Sequence, residues 1–127
     1  KTWKRRGDVL VGRSRTNFGS AIKLSRSGEV VAVAAPQDGS VGVNSGLVKL
    51  FYWNGTEWND LGAIYGSFDS DYAGSAIDLD ASGLKVAVGS PGRGVVDIFE
   101  WQGGTRWVSQ RSFSVDVANV GIENRPV

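Results

Sequence analysis

The chain repeats itself. Phe18-Gly19-Ser20-Ala21-Ile22-Lys23-Leu24-Ser25-Arg26-Ser27-Gly28 lies over Ala73-Gly74-Ser75-Ala76-Ile77-Asp78-Leu79-Asp80-Ala81-Ser82-Gly83 at an offset of 55 residues. Val31-Ala32-Val33-Ala34-Ala35-Pro36 continues over Val86-Ala87-Val88-Gly89-Ser90-Pro91 at the same offset. Leu47 to Trp53 then answers Val95 to Trp101, with the offset cut to 48 by a shorter loop after the proline. Trp58 answers Trp107, and Trp3 and Gly7 stand 55 residues before Trp58 and Gly62. A fixed period of about 50 residues is the mark of a stacked repeat architecture, in which each unit buries its apolar face on the next.

Each unit holds four apolar runs of strand length, near 20–24, 30–34, 47–53 and 58–64, then near 75–79, 85–89, 95–101 and 106–113. Ser20, Ile22 and Leu24 fall on one face of the first run, Ala21 and Lys23 on the other, as in an extended strand. Ser27-Gly28 and Ser82-Gly83 punctuate the first two runs, and Asn54-Gly55 and Gly103-Gly104 join the last two as hairpin turns. The runs Val30–Ala35 and Val86–Gly89 use small or β-branched residues on both faces, which suits a strand covered on both sides. No window shows helical periodicity. These features predict an all-β fold of tandem four-stranded antiparallel blades of the β-propeller type, an incomplete ring within one chain. The expected units are 1–17, the last strand of a preceding blade; 18–72, the first repeat; 73–113, the second; and 114–127, a tail or added strand. Two blades are too few for a ring, so the chain is expected either to be cut from a larger one or to assemble with copies of itself or with a partner.

Phe18-Gly19 followed by Ala34-Ala35-Pro36, and Gly74 followed by Gly89-Ser90-Pro91, resemble the FG-GAP repeats of integrin α-chain propellers. Trp53-Asn54-Gly55-Thr56-Glu57-Trp58 resembles a divergent branch of that repeat found in surface proteins. The resemblance covers roughly residues 1–113 and implies a propeller with a role in adhesion or protein contact, in an extracellular or secretory setting. The family's calcium loop is degenerate here. Asp78-Leu79-Asp80-Ala81-Ser82-Gly83 keeps part of it, but Lys85 and Val86 stand where a later acid is needed, and Lys23 to Gly28 has no carboxylate. Calcium requires six to eight oxygens, so no metal site and no cofactor are expected.

The chain has no His and no Cys, which removes imidazole and thiolate chemistry, both nucleophilic and metal-binding. The carboxylate pairs Asp69/Asp71 and Asp78/Asp80 lack recognisable partners for acid–base work. Gly89-Ser90-Pro91-Gly92-Arg93-Gly94 precedes a strand pattern rather than the helix that a phosphate loop needs. A non-enzymatic protein is therefore expected. Net charge is +1, but residues 1–26 carry eight bases against Asp8 alone, while residues 57–80 carry six acids and no base. Such a basic head and acidic middle attract each other within or between chains. The basic cluster is short and the total charge is near zero, so no nucleic-acid partner is expected. No apolar stretch reaches the ~18 residues of a membrane helix, so no membrane span is expected either.

The remaining candidates cluster at the hairpins. Trp53 with Trp58, and Trp101 with Trp107, flank the same turn in both copies. Glu57 and Arg106 stand beside them. Paired indoles can stabilise a hairpin or seal one unit on the next. They can also stack on sugar rings, and a similar hairpin in small two-blade chains resembles that of fucose-type lectins. Asn54-Gly55-Thr56 is a glycosylation sequon at a hairpin tip. Arg6-Gly7-Asp8 is the tripeptide many integrins recognise, although the repeat already accounts for Gly7. The leading expectation is a structural or adhesive module that binds protein through open blade edges. The alternative is a carbohydrate-binding lectin using the tryptophans once per blade.

Overall fold

A computed structural model of the chain describes residues 2–104 and 106–114. It contains eight strands: β1 Ala21–Leu24, β2 Val30–Ala35, β3 Leu47–Trp53, β4 Trp58–Tyr65, β5 Ala76–Leu79, β6 Lys85–Ser90, β7 Val95–Trp101 and β8 Trp107–Ser114. They form two four-stranded antiparallel sheets, β1-β2-β3-β4 and β5-β6-β7-β8, each a plain meander in chain order. No helix forms among the described residues, and none is long and apolar enough to cross a membrane. The expected tail, 114–127, lies beyond the described residues after Ser114.

The registers of the two sheets correspond. Ile22 pairs Val33 in the first as Ile77 pairs Val88 in the second, and Trp53 pairs Trp58 as Trp101 pairs Trp107. A bulge interrupts the β3–β4 ladder between Lys49 and Phe51, and another interrupts β7–β8 between Ile98 and Phe99. The backbone repeats in finer detail. Left-handed φ occurs at Arg15, Asn17, Gly19 and Gly28, and again 55 residues later at Ser70, Tyr72, Gly74 and Gly83. Side chains other than Asn, Asp or Gly rarely adopt that region, so Tyr72 at φ 53° is held there by its surroundings. Its N–H donates to Asn44 O, and its carbonyl accepts from Ser75 N.

The sheets share one core. Val30, Ala32 and Ala34 of β2, Val48 and Leu50 of β3, and Ile64 of β4 face Ile77 of β5 and Val86 and Val88 of β6. Ala21, Leu61, Leu79, Phe99 and Trp107 border the same cluster. Alternation dictates this choice. Residues two apart on a strand point the same way, so one face of the first sheet meets the opposite face of the second. Burial of these aliphatic side chains is the main stabilising term, each on the order of 1.5–3 kcal/mol. Strand β1 contacts β5, and the two β-turns are tied by Arg26 N donating to Ala81 O at 3.0 Å.

Two sequence expectations change in the structure. Residues 2–20 contribute no strand, although one was expected inside 1–17. No described strand lies beside this segment to complete a ladder, and a lone extended segment cannot satisfy one. The runs Val30–Ala35 and Val86–Gly89 were both expected to be covered on both faces; β2 is, but β6 is covered on one only. Every residue of β2 is buried, whereas Ala87 and Gly89 of β6 are partly exposed.

Candidate functional site

The hairpin tryptophans pack edge-on within each sheet. Trp53 and Trp58 lie 5.3 Å apart between ring centroids at 62°, and Trp101 and Trp107 lie 5.3 Å apart at 55°. Their polar ends reach further. Trp107 Nε1 donates to Leu61 O of the first sheet at 2.7 Å, and Trp58 Nε1 donates to Arg6 O at 3.0 Å. Arg6 stands 55 residues before Leu61. The same indole therefore bonds the same main-chain position of the unit before it in both repeats, although residues 2–12 form no strand. The Arg6 guanidinium lies 4.9 Å from the Trp53 ring centroid and 3.7 Å from the Glu29 carboxylate, and Gly7 packs on Trp53 and Trp58. Arg6 and Gly7 of the Arg6-Gly7-Asp8 tripeptide are thus part of this docking.

The other hairpin candidates sit at exposed tips. Asn54 Oδ1 accepts from Thr56 N, Thr56 Oγ1 and Glu57 N at 2.9, 3.0 and 2.9 Å, which closes the turn. The Glu57 carbonyl accepts from Asn54 N, and its side chain is exposed. Arg106 N donates to Gly103 O across the second turn. The structure brings Glu57 to the Trp53/Trp58 pair and Arg106 to the Trp101/Trp107 pair by sequence adjacency alone.

The carboxylates serve turns and loops. Asp80 Oδ1 accepts from Gly83 N, Leu84 N and Lys85 N, and both its oxygens accept from Ser82 Oγ. Burial acts to raise its pKa, but these hydrogen bonds outweigh it and hold the carboxyl below the ordinary value. Asp71 is fully buried. Its Oδ2 accepts from Ser67 N and Phe68 N, and its Oδ1 accepts from Arg93 Nε at 2.9 Å. Burial again opposes ionisation, and the two amides and the guanidinium together win, so its pKa is lowered. On the surface, the hydrogen bond from Lys49 Nζ is the main cause that lowers Asp60, at 2.6 Å. Asp69 accepts from Val43 N instead of joining Asp71. No group of three or more acids that could hold a metal ion is found among the described residues.

The largest chemical feature is apolar and open. Exposures of matched residues diverge sharply between the repeats. Ile22 is 56% exposed and Ile77 8%; Val48 is buried and Val96 is 42% exposed; Ile64 is 4% exposed and Phe113 52%. Ile22 and Leu24 belong to the face of the first sheet that, in the second sheet, is packed. Ala76, Ala87, Gly89, Val96, Ile98 and Phe113 belong to the face of the second sheet that, in the first, is packed. Three clefts of about 270, 180 and 360 Å³ score that second face, lined in turn by Asp78, Ala87 and Ile98, by Ala76, Gly89 and Val96, and by Ser75, Pro91 and Val95 among others. A separate cleft of about 410 Å³ lies between Val11, Gly12 and Arg13 and the first sheet, with the buried Asp38 at its wall.

Sequence reasoning found the tryptophans but not their acceptors, which are main-chain oxygens 46 and 52 residues away. It found the acids but not Arg93 as the partner of Asp71. No protein-family model matches the chain, and no curated protein matches it.

Proposed function

We propose that the chain is a pair of β-propeller blades of FG-GAP-like type, acting as a non-enzymatic structural or adhesive module that binds protein through its open sheet faces. The observation that carries this reading is the open face of the second sheet. It repeats, position by position, the face that the first sheet buries against its neighbour. Exposed contiguous apolar surface with clefts marks a contact surface in soluble proteins. Meander sheets of four strands, stacked with their first strands in contact, agree with blades set around an axis by their innermost strands. Trp58 and Trp107 fit the same reading, because their indole N–H groups are spent on the unit before them rather than presented to a ligand.

Hydroxyl-radical footprinting tests it. The purified chain at high dilution is expected to label strongly at Ile22, Leu24, Val96 and Phe113. In an extract of the cells that make it, those four positions are expected to be protected while Trp3 and Val9 still label. Equal labelling in both settings would overturn the reading.

A further inference from the structure

Resting on that reading, we propose that the partner of the open faces is a second copy of this chain, docked head to tail. In this arrangement the Ile22/Leu24 face of one copy covers the Ala76/Ala87/Val96 face of the other. The internal contact between the sheets is the template, and the proposed contact continues it by one step.

The faces match in shape. Inside the chain, Ile77 and Val88 of the second sheet fill the surface made by Ala32, Ala34, Val48 and Leu50. The repeat equivalents of that surface are Ala87, Gly89, Val96 and Ile98, and there the clefts are unfilled. The repeat equivalents of the filling side chains are Ile22 and Val33; Ile22 is exposed, whereas Val33 is already buried in the single chain. The glycines make the same point. A Cβ at Gly83 would meet Val30 Cβ at 2.7 Å and one at Gly74 would meet Ala34 Cβ at 3.2 Å, so those glycines lie close against the first sheet. Gly28 and Gly19, their equivalents, meet nothing within 4 Å. Apolar knobs and bare glycines at one end of the molecule therefore face matching clefts at the other.

Charge sets the direction. The template ties the two β-turns through Arg26 N and Ala81 O, so docking sets Arg26 of the incoming copy beside the Asp80–Ala81 turn of the receiving one, while Lys23 lies on the face turned away. Joining two first sheets would instead bring the Arg26 turns together, and like charges in contact disfavour that pairing. The contact is heterologous, so it can continue from copy to copy or close into a ring.

One existing contact must give way. Gln110 is the repeat equivalent of Leu61, so its carbonyl is the acceptor waiting for the incoming Trp58 indole. In the single chain that N–H is held by Arg6 O. Residues 2–12 of the incoming copy therefore leave the first sheet on docking, and the Arg6 side chain, bound to Glu29 and Trp53, opposes association.

Complementation of full-length variants tests this by sedimentation velocity. The native chain is expected to exceed the 13.5 kDa monomer mass and to dissociate on dilution. Ile22→Asp and Val96→Asp, both at exposed positions and checked for unchanged circular dichroism, are each expected to weaken association by roughly tenfold or more. Mixed in equal amounts, they are expected to restore a dimer, because each retains the face the other lacks. Arg6→Ala is expected to tighten association. A native chain that stays monomeric at all concentrations would overturn the proposal, yet would leave the broader reading standing if the footprint in the extract were protected. An oligomer that ignores both aspartates, variants that fail to complement, or association unmoved by Arg6→Ala would also overturn it.

Discussion

Strands β1 and β5 read Ala-Ile-Lys-Leu and Ala-Ile-Asp-Leu, yet one carries its isoleucine in solvent and the other in the core. The strands share length, register with their neighbour and left-handed flanking residues. They differ in what lies against them, since β5 has the first sheet on its inner side and β1 has nothing described there. Burial in this molecule is thus a property of position in the stack, not of the strand. The comparison separates intrinsic strand stability from stability gained at the interface, and substitutions at matched positions measure the second alone.

The largest difference is expected at the isoleucines. Ile77→Ala removes side-chain atoms from the shared core and leaves a cavity, at a cost of about 2–5 kcal/mol. Ile22→Ala is expected to fall within about 0.5 kcal/mol in the monomer, as for other surface changes. Urea unfolding of both variants measures the gap. Equal losses would mean that the two sheets do not rely on their contact.

The glycines sharpen the comparison. Gly28 and Gly83 share a φ near 80°, so alanine suffers the same backbone strain at both. Only Gly83→Ala also drives a methyl group into Val30 and Ser25. Gly83→Ala is expected to cost about 1–3 kcal/mol more than Gly28→Ala, the range for overpacking a tight site. Thermal unfolding of the two variants gives this difference directly. A null result would place the second turn farther from the first sheet than the structure does.

The tryptophans follow, with a smaller contrast. Trp107→Phe keeps most of the ring but leaves Leu61 O, in a partly buried setting, without its donor. About 1–2 kcal/mol is expected, against about 0.5–1 kcal/mol for Trp58→Phe, whose bond to Arg6 O is exposed. Equal small effects on stability, with loss of binding to an immobilised glycan, would return the hairpins to the lectin alternative.

These contrasts mark where the sequence is legible. The strand boundaries, hairpins and turn glycines follow from alternation and from Gly, Asn and Ser punctuation, because those signals are local. Which face of each strand is covered does not follow, since Ile22 and Ile77 sit in the same local pattern. The link from Trp107 to Leu61 is hidden because a main-chain oxygen has no residue signature. The Asp71–Arg93 pair is hidden because its equivalents in the first repeat are Thr16 and Asp38, so the repeat offers no pattern to compare. Residues 2–12 show the opposite case. Trp3 and Gly7 keep the repeat spacing and predict a strand, but hydrogen bonding is non-local and no strand forms. What survives of the pattern is the position of Arg6 O beneath an indole.

The smallest expected effect concerns the turns, where the repeats reach one geometry by different chemistry. Ser25 Oγ accepts from Val30 N, whereas Asp80 gathers three main-chain N–H groups and the Ser82 hydroxyl. In both, the backbone closes the turn the same way, Ser25 N to Val30 O and Asp80 N to Lys85 O. Asp80→Ser should therefore keep the fold and cost about 0.5–1.5 kcal/mol at neutral pH, the net value of a hydrogen bond. Its pH dependence is the sharper reading. The folded pKa of Asp80 is depressed, so its contribution is complete well above the ordinary value of 3.8 and is lost as pH falls through the lower folded value. Unfolding at pH 7 should separate the two chains, and the separation should shrink as pH falls below about 4. A gap that stays constant down to pH 2 would mean that Asp80 acts through shape alone, as Ser25 does.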